Sequence, residues 1–331
     1  MQVAVFSSQH YDQTFLSEAV KASGIQLTFF DARLTAQTAT LAKGFSAICV
    51  FVNDELSPTV LYCLHEYGVK HIALRCAGFN NVDIKHAKQL GISVSRVPDY
   101  SPQAVAEHAV ALMLTLNRRL HKAYNRVKEN NFTLDGLLGF NMHHKTVGII
   151  GAGRIGQATM QILRGFGCQI LCYDPFKPEI DIPEVRFVPL DTLLKDSDII
   201  SLHCPLTPDN QRMIDASAIA KMKPGVMLIN TSRGGLVDTR AVIDALKTYH
   251  IGYLGLDVYE MESELFFQDL SDSIVQDDVF QRLLTFPNVL ITGHQGFFTR
   301  EALQHIASTT IHNLQLAEQG QSDPLSFLVS G

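Results

Sequence analysis

Two sets of residues in this sequence have the types and spacing to do chemistry. The first is Gly151-Ala152-Gly153-Arg154-Ile155-Gly156, which follows the apolar run Val147 to Ile150 and opens a helical apolar pattern. In such a strand-to-helix turn Gly151 permits the tight bend and Gly153 lets the backbone approach a pyrophosphate. Gly156 lets helix and strand pack closely, and the helix N-terminus faces the phosphates. The next apolar run ends in Cys172-Tyr173-Asp174, which places an acid 18 residues beyond Gly156. An acid there accepts the ribose hydroxyls and repels a 2′-phosphate, so NAD is expected rather than NADP. A glycine-rich turn alone is a weak signal; the strand before it and the acid after it turn it into a dinucleotide site.

The second set stands where later apolar runs end. His203 follows Ile199 to Leu202, Arg233 follows Val226 to Ile229, Asp257 follows Leu254 to Leu256, and His294 follows Val289 to Ile291. Singly, each reads as a solvated loop residue or a helix cap. Together, downstream of a dinucleotide loop, they imply a shared cleft, because ligands of open α/β sheets bind beyond the carboxyl ends of the strands. Arg233 can make two parallel bonds to a carboxylate, which points to an anionic substrate. His294 is titratable near neutrality and follows the last strand, so it is the first candidate for a proton donor, with His203 competing. The carboxylate that holds this imidazole would come from Glu262 or, equally, from Glu260.

The elements that must position these residues follow from the same pattern. Short β-branched runs alternate with helical stretches almost throughout, the signature of βαβ units and an α/β fold with parallel sheets. Strands are expected at Val3 to Phe6, Leu27 to Phe30, Ala47 to Val52, Ile72 to Leu74 and Ile92 to Val94. A second series covers Val147 to Ile150, Ile170 to Tyr173, Ile199 to Leu202, Val226 to Ile229, Leu254 to Leu256 and Val289 to Ile291. Ser101-Pro102 starts a long helix reaching about Leu120, an irregular polar segment spans Asn125 to Lys145, and the last helix runs from about Thr299 to Glu318 with Gly320 as its stop. The length of 331 residues argues for two domains.

Composition narrows the partners. Lys and Arg number 27 against 33 Asp and Glu, and a net charge of −6 lacks the electrostatic footprint of a nucleic-acid protein. The six cysteines form no CxxC pair, which fits reduced thiols in the cytoplasm. No leader or membrane span is expected, since no apolar stretch approaches ~20 residues. His143-His144 lack a Cys or carboxylate partner at ligand spacing, so no metal site is expected. Cys168 and Cys172 read as small apolar residues near a strand. The basic run Asn117-Arg118-Arg119 with His121-Lys122 answers a helix dipole, with an anionic effector as the sharper reading.

With these residues assembled, the chain resembles the D-isomer-specific 2-hydroxyacid dehydrogenases, and within them the fermentative NAD-dependent D-lactate branch. The likeness rests on Leu74-Arg75-Cys76-Ala77-Gly78-Phe79-Asn80-Asn81-Val82-Asp83, Val97-Pro98-Asp99-Tyr100-Ser101-Pro102, the glycine loop, Ser201 to Thr207, Asn230 to Gly235, Asp257-Val258-Tyr259-Glu260 and Gly293-His294-Gln295. The stretch Ser263 to Phe280, with Phe266-Phe267, also resembles that branch. Gly296 departs from a pattern in which many members carry Ala.

The resemblance implies two doubly wound parallel-sheet domains, Rossmann-like and flavodoxin-like, joined by long helices. Residues 1–99 and 299–331 would form a discontinuous substrate domain and residues 100–298 an NAD-binding domain. It implies Arg233, Glu262 and His294 as the catalytic trio, in favour of Glu262 over Glu260, and relieves His203 of the proton-donor role. The amides of Ala77 and Gly78 would hold the substrate carboxylate, with Tyr100 and Phe297 shaping the pocket. His203, Cys204 and Pro205, with Thr231, Ser232 and Asp257, would line the cofactor beside Gly151, Gly153, Arg154, Ile155, Gly156 and Asp174. The expected reaction is reduction of pyruvate to D-lactate by NADH in a homodimer or homotetramer. Two other readings are an enzyme for bulkier 2-oxo acids and a non-catalytic NAD(H)-sensing interaction protein, as in the C-terminal-binding corepressors that resemble the same enzymes.

Overall fold

The computed structural model describes residues 1–262 and 265–330. The chain divides into two compact units, Met1–Ser101 with Phe298–Gly331, and Pro102–Phe297. In chain order the strands are β1 (Gln2–Val5), β2 (Gln26–Phe29), β3 (Ala47–Val50), β4 (His71–Leu74), β5 (Ser93–Ser95), β6 (Thr146–Ile150) and β7 (Gln169–Tyr173). They continue with β8 (Val185–Phe187), β9 (Ile199–Leu202), β10 (Val226–Asn230), β11 (Ile251–Leu256), β12 (Val289–Ile291) and β13 (Phe327–Val329).

Both units are α/β. The first carries the sheet β13-β5-β4-β3-β1-β2, parallel except where β13 pairs antiparallel with β5. The second carries the sheet β12-β11-β10-β9-β6-β7-β8, with every pairing parallel. Its strand order reverses between β6 and β9, the switch point at which such sheets open a ligand crevice.

Strands buried on both faces need apolar residues at successive positions, and this sheet shows why. Ile149, Ile199, Met227 and Ile229 point into one core, shared with Ala109, Leu112, Met113 and Leu116 of the helix Pro102–Arg118 and with Met160 and Leu163 of the helix Arg154–Gly165. Their neighbours Ile150, Ile200 and Leu228 point into the other, against Leu193, Ile219, Val242 and Leu246. Successive side chains thus feed opposite faces, and each strand is clamped by a helical layer on either side.

The long helix expected to reach Leu120 stops two residues earlier. Asn117, 1% exposed, donates to the Phe140 carbonyl at 2.8 Å and accepts from its amide at 2.8 Å. Gly139 lies so close to the Asn117 carbonyl that a Cβ there would sit 2.5 Å from it. This clasp brings another segment against the helix end, and Arg119 turns the chain in the left-handed region at φ +49. A second helix, Leu120–Lys128, then occupies ground expected to be irregular from Asn125. None of its residues is buried, so its apolar positions carry no core signal for sequence reading to detect. Strands β8 and β13 were not expected either; three-residue edge strands are too short to show a period. The final helix, Arg300–Glu318, is capped by the Thr299 side chain, and Gly320 lies just past its end at φ +67. Among the described residues no helix is long and apolar enough to cross a membrane.

Candidate active site

The glycine loop lies at the switch point. Strand β6 ends at Ile150, whose carbonyl accepts from the His203 amide at 2.7 Å, and the Gly151 amide donates to the Tyr173 carbonyl at 2.9 Å. The loop is therefore stitched to the ends of both neighbouring strands. Gly151 has φ +104, and a Cβ on it would stand 2.6–2.7 Å from the His203 and Cys204 backbones, so both conformation and space demand glycine. A Cβ on Gly156 would collide with the Gly151 carbonyl. Gly153, the N-cap of the helix Arg154–Gly165, faces open space, so Arg154 and Ile155 begin a helix whose N-terminus is approachable by phosphate oxygens.

Asp174 braces this corner. Its Oδ2 accepts from the Ala152 amide at 2.8 Å and its Oδ1 from the Phe176 amide at 2.9 Å, so the acid at the end of β7 braces the loop. Next door, Ser232 Oγ donates to the Cys204 carbonyl at 2.6 Å and ties the end of β10 to that of β9. The Asn210 side chain donates to the Pro205 carbonyl at 2.8 Å. His203 Nε2 pairs with Ser201 Oγ at 2.8 Å, and burial pushes its imidazole down to about 4, so it is neutral at physiological pH. Burial pushes the Cys204 thiol up to about 11, which makes it a packing group and not a nucleophile. The Thr231 hydroxyl is buried with no partner among the described residues. A glycine with open space at a helix start after β6 and an unpaired hydroxyl after β10 in the same sheet fit a dinucleotide.

The candidate substrate and acid–base residues emerge from the ends of three adjacent strands, β10, β11 and β12. Arg233 follows β10, is half-buried, and its Nη1 donates to the Ser232 carbonyl at 2.7 Å. Asp257 follows β11 and His294 follows β12. His294 Nδ1 lies 3.1 Å from Glu262 Oε1, with the two side chains 18% and 22% exposed, and the Tyr259 amide donates to Glu262 Oε2 at 3.1 Å. Glu260 points elsewhere: it pairs with Arg212 Nε at 3.1 Å and accepts from Thr239 Oγ1 at 2.8 Å. The alternatives that spacing left equal are thus separated by geometry. The Phe267 and Phe297 rings stand 5.7 Å and 6.4 Å from the imidazole.

The His294 backbone sits in the left-handed region at φ +54, a conformation that costs a non-glycine residue about 1–3 kcal/mol and persists only where its surroundings impose it. Asp257 imposes it. This 1% exposed carboxylate accepts from the amides of Gln295 at 2.9 Å and Gly296 at 2.8 Å, from Thr292 Oγ1 at 2.5 Å, and from His108 Nε2 at 3.2 Å. Burial alone would raise its pKa; the donors from His108 and Thr292 outweigh burial and hold the carboxyl below the usual range. His108 on the helix Pro102–Arg118 and Phe267 join this cluster without any sequence signal marking them as site residues. No spacing rule links a helix residue to a loop some 190 positions later.

In the first unit, Ala77 and Gly78 follow β4. Arg96 Nη1 donates to the Ala77 carbonyl at 2.9 Å and Cys76 Sγ to the Gly78 carbonyl at 3.3 Å, while neither the Ala77 nor the Gly78 amide donates to another group among the described residues. Arg75, 1% exposed, anchors the strand end by pairing with Asp12 at 3.0 Å and donating to the Ser7 carbonyl at 2.7 Å. Tyr100 is half-buried near the end of this segment. Phe297 falls in the second unit.

Comparison with known proteins agrees with this geometry. The family model "D-isomer specific 2-hydroxyacid dehydrogenase, NAD binding domain" matches residues 110–296. D-lactate dehydrogenase of Escherichia coli K12 is 52% identical over 325 residues, which cover 98% of this chain and 99% of that protein. The apo structure of E. coli D-lactate dehydrogenase matches with a TM-score of 0.90 at 51% identity, covering 99% of this chain and 100% of that one. The pyruvate reductase of Chlamydomonas reinhardtii matches with a TM-score of 0.92 at 44% identity, over 97% of each chain. The chain belongs to the D-isomer specific 2-hydroxyacid dehydrogenase family, and its unit Pro102–Phe297 carries the family's NAD binding domain.

Proposed function

We propose that this protein reduces pyruvate to D-lactate with NADH, and runs the reverse reaction with NAD. The observation that carries the reading is the His294–Glu262 pair at 3.1 Å, held in a constrained loop on the same row of strand ends as Arg233. When bound, NADH supplies the hydride that reduces the carbonyl carbon. His294, protonated and with Nδ1–H fixed by Glu262, directs Nε2–H to the carbonyl oxygen and gives up that proton as the alkoxide develops. Arg233 clamps the substrate carboxylate and polarises the carbonyl oxygen. The amides of Ala77 and Gly78 add donors for the carboxylate, and Tyr100 and Phe297 set the room for a methyl group. Gly151, Gly153, Arg154, Ile155 and Gly156 cradle the pyrophosphate and Asp174 receives the ribose hydroxyls. His203, Cys204, Pro205, Thr231, Ser232 and Asp257 line the remainder of the cofactor site. On this reading Met1–Ser101 with Phe298–Gly331 is the substrate domain.

The protein works in the cytoplasm as a homodimer or homotetramer. The helix Leu120–Lys128, with Leu120, Tyr124 and Val127 exposed, and the following Phe132, Leu134 and Leu138, the last 87% exposed, supply the apolar surface for such assembly. The functional reading is tested by a panel of 2-oxo acids ranked by kcat/KM with NADH and NADPH. Pyruvate with NADH ranks first; preference for phenylpyruvate or 2-oxoisocaproate, or equal use of NADPH, rejects the substrate or the cofactor assignment.

A further inference from the structure

Arg96 is a charged side chain that the mechanism above does not use. It follows β5, and its Nη1 donates to the Ala77 carbonyl at 2.9 Å. That carbonyl and the Gly78 N–H belong to a single planar peptide unit. A charged donor on the carbonyl draws electron density from the amide and strengthens the N–H as a donor in turn. The Gly78 N–H, like that of Ala77, donates to no other group among the described residues. No carboxylate pairs with Arg96 among the described residues, and its Nε is buried without a partner. A guanidinium is always charged, so this is a fixed and uncompensated positive charge behind an unsatisfied N–H.

The side chain is also immobilised. The Phe79 ring covers the guanidinium at 5.2 Å. The Arg96 amide donates to the Ser326 carbonyl at 2.9 Å, and its carbonyl accepts from Asn313 Nδ2 at 2.9 Å. The helix Arg300–Glu318 and the segment leading into β13 thus return to pin this residue, which gives the C-terminal part of the first unit a task beyond closing a sheet.

We infer that Arg96 is a positioning residue for substrate: through the Ala77–Gly78 peptide it aims and strengthens the amide that receives the substrate carboxylate, and its charge favours the anion there. This rests on the carboxylate role proposed above for Ala77 and Gly78. Because the carboxylate is held alike in the ground and transition states, losing this support raises KM and leaves kcat in place.

The experiment compares Arg96→Met and Arg96→Lys with the parent enzyme in steady-state pyruvate reduction, together with oxamate binding to the NADH-loaded enzyme by calorimetry. Arg96→Met raises the KM for pyruvate and the oxamate Kd about tenfold, the equivalent of about 1.4 kcal/mol. The KM for NADH and kcat stay within about twofold, and Arg96→Lys, which keeps the charge, recovers part of the loss. A pyruvate KM and oxamate Kd within twofold of the parent in a folded Arg96→Met overturn the inference, as does a lowered unfolding midpoint with unchanged KM, which marks a merely structural residue. If Arg96→Met does not fold, Arg96→Gln is read by the same criteria. A parent enzyme that does not turn over pyruvate refutes the functional reading instead, and the ratio of oxamate affinities still judges Arg96.

Discussion

Replacing Asp257 by Asn tests the claim that a buried carboxylate holds the His294 loop in its working conformation. The change keeps the volume and removes the charge. Asp257 accepts from Thr292 Oγ1, the Gln295 amide and His108 Nε2 on Oδ1, and from the Gly296 amide on Oδ2. A carboxamide has one acceptor oxygen. In its better orientation the Asn oxygen keeps the first three donors and its NH2 confronts the Gly296 N–H. One hydrogen bond to a charged acceptor, about 1.5–3 kcal/mol, is lost outright, and the survivors fall to neutral strength. The left-handed His294 at φ +54 costs about 1–3 kcal/mol to maintain. The anchoring removed therefore matches the strain it opposed, and the loop relaxes into conformers that no longer aim the imidazole. With every 1.4 kcal/mol worth a factor of ten, kcat for pyruvate reduction falls about 10- to 100-fold. Steady-state kinetics at saturating NADH, with an unfolding midpoint as control, read the effect. A folded variant with kcat within threefold of the parent refutes the positioning argument; a lowered midpoint with intact kcat assigns Asp257 to stability alone.

His294→Gln removes the proposed proton donor but not the pocket, so kcat falls about 10²- to 10⁴-fold at saturating pyruvate; an intact kcat sinks the assignment. Glu262→Gln lowers kcat while Glu260→Gln leaves it within about twofold, because only Glu262 touches the imidazole and Glu260 is held by Arg212 and Thr239. Equal effects in the two variants contradict this geometry. His71, clamped between Ser93 Oγ at 2.8 Å and Ser95 Oγ at 2.9 Å, is pushed by burial from 6.5 down to about 3. The unfolded chain therefore binds a proton that the native state refuses, and this site costs stability at up to about 1.4 kcal/mol per pH unit as pH falls from about 6.5 toward 3. His71→Gln flattens the acid limb of a urea-unfolding series against pH; parallel limbs in parent and variant overturn the attribution.

Much of this site was legible because the chemistry stands at strand ends. With β6 legible as the apolar run Val147 to Ile150, the glycine loop and Asp174 follow from it, since a parallel strand buried on both faces is a short, nearly pure apolar run. Arg233, Asp257 and His294 follow β10, β11 and β12 by the same rule. What the sequence could not separate was Glu260 from Glu262. Both lie in the turn after β11, and which of them meets the imidazole depends on the path of that turn. His108 was illegible for another reason: it sits on an apolar helix face and reaches the site only because that helix packs beside β11 and β12. The break at Arg119 and the helix after it were hidden because the signal is a side-chain clasp between Asn117 and Phe140, a contact without local periodicity.

The most direct test of the central claim is reduction of pyruvate with NADH by the purified protein, followed by chiral separation of the product. The residues assembled on β10, β11 and β12 and the cofactor loop at β6 predict NADH-dependent turnover that yields D-lactate alone. L-lactate, a racemic product or no turnover would contradict it.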